Sequence, residues 1–162
     1  MVTEALPDAP AEIVREILER VVEALDVDAT VDVEESERQV TGVISGEDVG
    51  RLIGRRGQTI DAIQFICYRA AQRNSTDRKR VIVDAGGYQE RRREQLEDQA
   101  ERAAARPLEA GKEIELEPMT PSERKVVHDI LAERTGVETF SEGDEPDRSV
   151  IVAPLVESTD DA

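Results

Sequence analysis

Along residues 10–85 the spacing of apolar residues changes from helical to alternating and back, and this change constrains the fold most. Apolar residues three or four apart from Ile13 to Leu25 predict an amphipathic helix that starts at Pro10. Residues 27–33 alternate apolar and polar side chains, as in a half-buried strand, and a second, antiparallel strand follows. The first part of the chain is therefore neither all helix nor all strand.

Further changes of spacing divide the chain into two units and predict an α+β protein. The first unit has the order α-β-β-α-α-β and the second the order α-β-α-β-β. The predicted elements after the first helix are 27–33, 38–45, 47–54, 58–73 and 78–85, then 88–106, 112–118, 120–136, 137–143 and 147–154. Gly42 indicates either a bulge or a close approach of another group to the second strand. Thr120 and Glu123 predict a capping box.

The net charge of the chain hides a basic centre. The formal charge at pH 7 is -16, yet residues 51–93 hold eleven basic and four acidic side chains. Eight of these eleven fall in three tight groups, at 55–56, 78–80 and 91–93. Arginines are common on solvated helix faces, but clustering of this kind favours an anionic partner. The acidic flanks would repel nucleic acid from the rest of the surface.

Two glycines enclose the first of these groups, in the stretch Gly54-Arg55-Arg56-Gly57. The glycines let another backbone approach closely, and the helix that starts at the corner directs free N–H groups at that visitor. The arginines would add charge-assisted hydrogen bonds to phosphates. The surrounding sequence fits neither a P-loop nor a dinucleotide fingerprint. Taken alone, the motif is better explained as a helix C-cap and a turn.

Within the order α-β-β-α-α-β, the same loop resembles that of a type II, prokaryotic KH domain. The family's core pattern Ile-Gly-x-x-Gly-x-x-Ile is matched by Ile53, Gly54, Gly57 and Ile60. The resemblance covers residues 10–85. It implies that the loop, with Arg55 and Arg56, clamps about four nucleotides of single-stranded RNA backbone. It also implies a shallow apolar groove for bases, lined by Ile53, Ile60 and Val83.

Arg124 and His128 are one helical turn apart, so they share a face of the helix predicted at 120–136. On spacing alone, a pair with local hydrogen-bond partners explains them best. With strands before and after the helix, however, "SERKVVH" resembles the R-three-H domain, a single-stranded nucleic-acid binding module. The resemblance implies a domain at 86–154 in which Arg124 binds phosphate and His128 bonds a phosphate or stacks on a base.

A KH domain followed directly by an R-three-H domain resembles the bacterial Jag family, also called SpoIIIJ-associated or KhpB proteins. The bridging stretch "DAGGYQERRREQLEDQA" is similar to that family too. The resemblance implies a post-transcriptional regulator that binds single-stranded RNA, or single-stranded DNA, with Arg91, Arg92 and Arg93 contacting the strand between the modules. The alternative is an adaptor that pairs with a small KH-only protein or a second copy. It would work beside a membrane-protein insertase and the cell-division machinery.

The residue types disfavour an enzyme. Cys67 is the single cysteine and His128 the single histidine, so we expect no zinc site and no catalytic nucleophile. Carboxylates such as Asp84 are abundant, but nothing in the sequence gathers them into a metal site. We therefore expect no cofactor, no metal and no membrane-spanning segment. A cytoplasmic location and flexible tails at 1–9 and 155–162 complete the expectation.

Overall fold

The chain divides into two units, with the boundary between Gln89 and Glu90. The residues that the computed structural model describes are 9–73, 76 and 78–155. Apart from Ala9 and Leu155, the predicted tails lie outside the described residues.

The first unit consists of helices packed against a three-stranded mixed sheet. Its elements are α1 (Pro10–Ala24), β1 (Ala29–Glu35), β2 (Gln39–Gly46), α2 (Gly50–Ile53), α3 (Gln58–Ala71) and β3 (Arg80–Ala85). The sheet has the strand order β1-β2-β3, with β1 antiparallel and β3 parallel to β2. The predicted order α-β-β-α-α-β and the antiparallel pairing of the first two strands are confirmed.

Gly42 allows α1 to pack closely on the sheet. The register between β1 and β2 runs without interruption past Gly42, so the strand contains no bulge there. A Cβ atom at position 42 would lie 2.5 Å from Cδ1 of Leu18, which is fully buried on α1. Of the two readings of this glycine, close approach is therefore correct, because the side chain of Leu18 occupies the space above it.

The helix before the glycine loop is a single turn. It was predicted at 47–54, but residues 47–49 form a turn and α2 begins at Gly50. Helical hydrogen bonding begins only with the carbonyl of Val49, which accepts from the N–H of Leu52 at 2.9 Å. Val49 and Leu52 are both buried, so this turn is anchored in the aliphatic core of the unit.

The second unit packs helices on a three-stranded antiparallel sheet. Its elements are α4 (Tyr88–Ala110), which begins just before the boundary, β4 (Ile114–Glu115), α5 (Pro121–Ala132), β5 (Val137–Glu142) and β6 (Ser149–Pro154). The strand order is β4-β6-β5, and the predicted order α-β-α-β-β is confirmed. The capping box at the start of α5 is also present, with Thr120 Oγ1 accepting from the N–H of Glu123 at 3.3 Å.

Several elements of the second unit differ in length from the prediction, and α5 ends at Ala132 where the sequence predicted a helix as far as 136. The backbone of α4 continues past Pro107 as far as Ala110, and Gly111 follows with a φ of +61° that L side chains rarely adopt. A proline removes one helical hydrogen bond, which a 23-residue helix tolerates. β4 is only two residues long. Among the described residues, no helix is both long and apolar enough to cross a membrane.

Candidate nucleic-acid interface

The glycine loop joins α2 to α3 through a tight turn at Arg55–Gly57. Gly54 has φ 72° and ψ -175°, a region that is open essentially to glycine alone. Gly57 has φ 77° and ψ 6°. Arg56 also has a positive φ, 53°, which is uncommon for a residue with a side chain. Strain of this kind persists where the surrounding structure imposes it, and it is concentrated at functional sites.

Side chains from elsewhere in the first unit fill the space beside both glycines. A Cβ atom at Gly54 would overlap Thr59 Oγ1 and would lie 3.0 Å from the backbone N of Thr59. A Cβ atom at Gly57 would lie 2.7 Å from the ring and hydroxyl of Tyr88. The sequence gives no signal that Tyr88 contacts the loop, because Tyr88 and Gly57 are far apart along the chain. Any side chain at either glycine would therefore displace its neighbour.

The loop presents positive charge that nothing in the described structure neutralises. Arg55 is exposed and Arg56 is half-buried. Among the described residues, neither guanidinium has a hydrogen bond or an ion pair. The backbone N–H of Gln58, the first residue of α3, donates to the oxygen of Arg55. No described side chain caps the other N–H groups of this first turn, which lie at the positive end of the helix. These features together can hold an anion such as a phosphate.

The apolar residues expected to line a groove beside the loop are mostly in the core. Ile60 and Val83 are fully buried, so neither offers a surface to a base, whereas Ile53 is half-buried. Helical spacing identified Ile60 as apolar and inward-facing, but spacing alone does not distinguish a core position from a groove. The seam between α3 and β3 is instead closed by Gln64, whose Oε1 accepts from the backbone N–H of Val83 at 2.9 Å.

Arg124 is buried on α5 and has two partners in the second unit. The residue is 8% exposed. Its Nη1 donates to the backbone oxygen of Met119 at 2.8 Å, and its Nη2 donates to Oε1 of Glu145 at 2.5 Å. A phosphate that binds at Nη2 of Arg124 would compete with Glu145, whereas the Met119 carbonyl at Nη1 is part of the backbone and stays in place.

His128 bonds two hydroxyl groups of β5. Its Nδ1 lies 2.7 Å from Thr139 Oγ1 and its Nε2 lies 3.0 Å from Ser141 Oγ. Thr139 and Ser141 are two residues apart, so they project from the same face of the strand. Burial lowers the pKa of His128, and the positive charge of Arg124 lowers it further, while Asp129 opposes the shift. The ring is therefore neutral at pH 7, with one nitrogen donating and the other accepting.

The chain matches two protein families along its length. Residues 11–84 match the family described as the KH domain of KhpA/KhpB, and residues 94–154 match the R-three-H domain. The chain belongs to the KhpB-like family, in which a KH domain and an R-three-H domain are combined. The type II KH topology and the small R-three-H domain expected from the sequence are thereby confirmed.

Several curated relatives carry the name RNA-binding protein KhpB. The chain is 39% identical over 140 residues to the protein from Clostridium symbiosum, covering 85% of this chain and 63% of that protein. It is 36% identical over 138 residues to the Bacillus subtilis protein, covering 84% and 66%. It is 38% identical over 133 residues to the Lactiplantibacillus plantarum protein, covering 82% and 41%. The chain thus spans only part of the length of these relatives, less than two thirds in the first and last of them.

The arginines expected to contact RNA between the modules have different surroundings. Arg92 pairs with Glu123, with 2.6 Å between Nε and Oε1, and both side chains are largely buried. The second oxygen of Glu123 accepts from the N–H of Thr120, so this carboxylate joins α4 to the start of α5. Arg93 pairs with Glu97 on the exposed face of α4, and Arg91 is also exposed. RNA contact by these arginines stays a prediction, and for Arg92 it would compete with a buried ion pair.

Asp84 has a structural role in the KH domain. Its Oδ2 accepts from the N–H of Gly87 at 2.9 Å and its Oδ1 accepts from the N–H of Gln89 at 3.0 Å. The carboxylate therefore satisfies N–H groups at the start of α4, as an N-terminal cap does. Within the described ranges, no three His, Cys, Asp or Glu side chains are grouped so as to hold a metal ion. Burial raises the pKa of Cys67 to about 12, so its thiol stays protonated.

We expect the stability of the R-three-H domain to decrease as the pH falls below about 6.5, the ordinary pKa of histidine. His128 has a lower pKa in the folded chain than in the unfolded chain, so the unfolded chain takes up the extra proton first. The contribution of His128 to the free energy of unfolding is fully present at pH values above its pKa in the unfolded chain. It is lost as the pH falls towards its pKa in the folded chain, by at most about 1.4 kcal/mol per pH unit. Urea unfolding followed by circular dichroism between about pH 7.5 and 5.5 measures this slope.

The control for this pH dependence is His128→Gln. Glutamine keeps one donor and one acceptor for the hydroxyls of Thr139 and Ser141 but does not titrate. Its stability should therefore change less over the same range. Equal slopes for both proteins would show that other groups cause the pH dependence.

Proposed function

We propose that this chain is a single-stranded RNA-binding protein that acts as a post-transcriptional regulator in the cytoplasm and catalyses no reaction. The observation that carries the proposal is the unneutralised pair Arg55 and Arg56, held at an uncapped helix start by two glycines that have no room for a side chain. The name of the curated relatives, RNA-binding protein KhpB, supports it. The cytoplasm is where messenger RNA would be available to such a protein.

In this proposal the loop binds the RNA backbone and not the bases. The N–H groups at the start of α3 and the two guanidinium groups would each donate to a phosphate oxygen. Because Ile60 and Val83 are buried, the loop region offers few apolar contacts to bases, and Ile53 is the exception. Arg124 and His128 of the R-three-H domain would supply a second contact. Backbone binding of this kind predicts weak discrimination between RNA sequences.

Fluorescence anisotropy with a labelled single-stranded RNA tests the proposal. Binding should weaken as salt increases, with a slope of about -0.7 in log K against log salt for each phosphate that is contacted. Duplex RNA should bind less well, because a loop of this type holds an extended single strand. The affinity for single-stranded DNA of the same sequence shows whether the sugar contributes to binding. The absence of binding to any single strand at low salt would rule the proposal out.

A second candidate function, protein interaction, is favoured by one surface of the KH domain. On α3, Phe65 and Ile66 are 63% and 55% exposed, which is unusual for large apolar residues. They lie in a concave region of about 710 Å³ whose lining includes Arg69, Arg73 and Arg78. This surface could hold a small KH-only protein or a second copy of the chain. The alternative function predicted from the sequence, that of a protein-interaction adaptor, would use such a contact.

We expect Phe65→Glu to disrupt complexes formed through this surface and to leave RNA binding by the loop intact. A charge placed among apolar contacts opposes association, while Phe65 is more than two helical turns away from Gly57. Light scattering of the purified chain, alone and with a purified small KH-only protein, measures the complexes. Unchanged complexes in the variant would exclude Phe65 from the interface, and loss of RNA binding would show that the surface serves RNA.

A further inference from the structure

We propose that Glu145 is an internal substitute for an RNA phosphate. Its carboxylate pairs with Arg124 until a phosphate replaces it. The inference rests on the proposed function, because it requires that the R-three-H domain bind RNA. It adds that the affinity of this domain is limited by one of its own carboxylates. Glu145 lies in the connection between β5 and β6, outside both strands.

Arg124 is held in a fixed position by groups of the backbone. Its Nη1 donates to the oxygen of Met119 at 2.8 Å. The N–H of Met119 in turn donates to the oxygen of Arg148 at 3.1 Å, which ties this residue to the start of β6. The guanidinium is therefore preorganised, and its other terminal nitrogen, Nη2, donates to the side chain of Glu145.

Glu145 is the partner that a ligand can replace. Half of its side chain is exposed, compared with 10% for Arg124, so the carboxylate lies on the solvent side of the pair. A phosphodiester carries one negative charge, as a carboxylate does, and accepts hydrogen bonds from a guanidinium in a similar geometry. Exchange of one for the other leaves the buried cation paired throughout, and this avoids the large cost of an uncompensated charge.

Neighbouring groups act on an anion at this corner of the domain in different ways. His128 is one helical turn from Arg124 on α5, but both of its ring nitrogens are bonded to the hydroxyls of Thr139 and Ser141, so a ligand would have to replace one of these bonds to use the ring. Arg148 donates through Nη2 to the oxygen of Ser141, and among the described atoms its buried Nε has no hydrogen-bond partner. Asp144 and Asp147 are exposed in the same connection and would repel an RNA strand. A change at Glu145 must therefore be distinguished from a general reduction in negative charge.

The test compares Glu145→Gln with Asp144→Asn. Both variants remove one negative charge from the same exposed connection, but only the first removes the partner of Arg124. Anisotropy with single-stranded oligouridine should show that Glu145→Gln binds about three- to fivefold more tightly than the unmodified chain. The reason is that the substitution weakens the interaction that competes with RNA for Arg124. Asp144→Asn should change the affinity by less than about 1.5-fold, as expected for a solvent-screened charge.

Equal effects of the two substitutions, or no effect of Glu145→Gln, would overturn the inference. The proposed function would survive that result as long as the unmodified chain binds the RNA, so the two failures are distinguishable. A second measurement does not depend on a variant. When oligouridine is added to the unmodified chain, the carboxyl ¹³C signal of Glu145 should shift as the ion pair with Arg124 opens, and a stationary signal under saturation would contradict the exchange.

Discussion

Reversing both charges of the glycine loop, Arg55→Asp with Arg56→Asp, should weaken the binding of single-stranded RNA by about 100-fold at low salt. Each charge-assisted hydrogen bond contributes about 1.5–3 kcal/mol, and two bonds at the lower end of this range account for a loss of about 100-fold. The slope of log K against log salt should also decrease in magnitude by about 1.4, because two fewer counterions are released. Anisotropy titrations at several salt concentrations measure both quantities.

The matched control for this change is Arg102→Asp with Arg106→Asp. These residues are exposed on α4, one helical turn apart, and their reversal alters the net charge of the chain by the same amount. If general electrostatics governed binding, both double variants would lose affinity equally. We expect the α4 variant to lose less than about threefold. Affinity that is unchanged in the loop variant would remove Arg55 and Arg56 from the interface.

Gly54→Ala should weaken RNA binding about tenfold and destabilise the KH domain by about 1–3 kcal/mol. The cost arises because alanine is strained at φ 72° and ψ -175°. The new Cβ would also lie 2.7 Å from the Cβ of Thr59 and 3.0 Å from its backbone N, so rotation of the threonine side chain does not relieve the contact. The loop must open, which moves the N–H groups at the start of α3. Thermal unfolding and anisotropy measure the two effects.

Gly50→Ala provides the comparison in the same helix-loop-helix segment. Gly50 is in α2, and a Cβ atom there would have no described atom within 4 Å apart from its own neighbours. Alanine favours a helix over glycine by about 0.5–1 kcal/mol, so this variant should be as stable as the parent or more so. Its RNA affinity should be unchanged. If Gly54→Ala stays folded and binds RNA as tightly as Gly50→Ala, the shape of the loop does not matter for binding.

The sequence predicted most of the fold because most of its signals are local. The apolar rows of α1, the alternation in β1 and the capping box at Thr120 and Glu123 each depend on residues within a few positions of one another. Gly42 was ambiguous for the opposite reason. Its role depends on Leu18, which belongs to another element, and only the packed structure brings the two together.

The features of the candidate site that depend on residue type could be predicted from the sequence. The features that depend on which side chains pair with one another could not. The glycine loop and its two arginines were identified from the sequence, since the motif is four residues long. No pattern in the sequence indicates that Arg124 pairs with Glu145, 21 residues away, or that Arg92 pairs with Glu123, 31 residues away. A charge pattern shows which side chains are cationic, but whether they are available to a ligand depends on tertiary contacts.

The contact between Gly57 and Tyr88 has an evolutionary consequence. The tyrosine ring occupies the volume that a side chain at position 57 would need, so the two positions share one space. A larger residue at 57 is compatible with the fold only together with a smaller one at 88. A smaller residue at 88 beside an unchanged Gly57 leaves a void behind the loop. Among chains that keep glycine at position 57, the aromatic residue at 88 should therefore be retained, and the start of α4 should change more slowly than the rest of that helix.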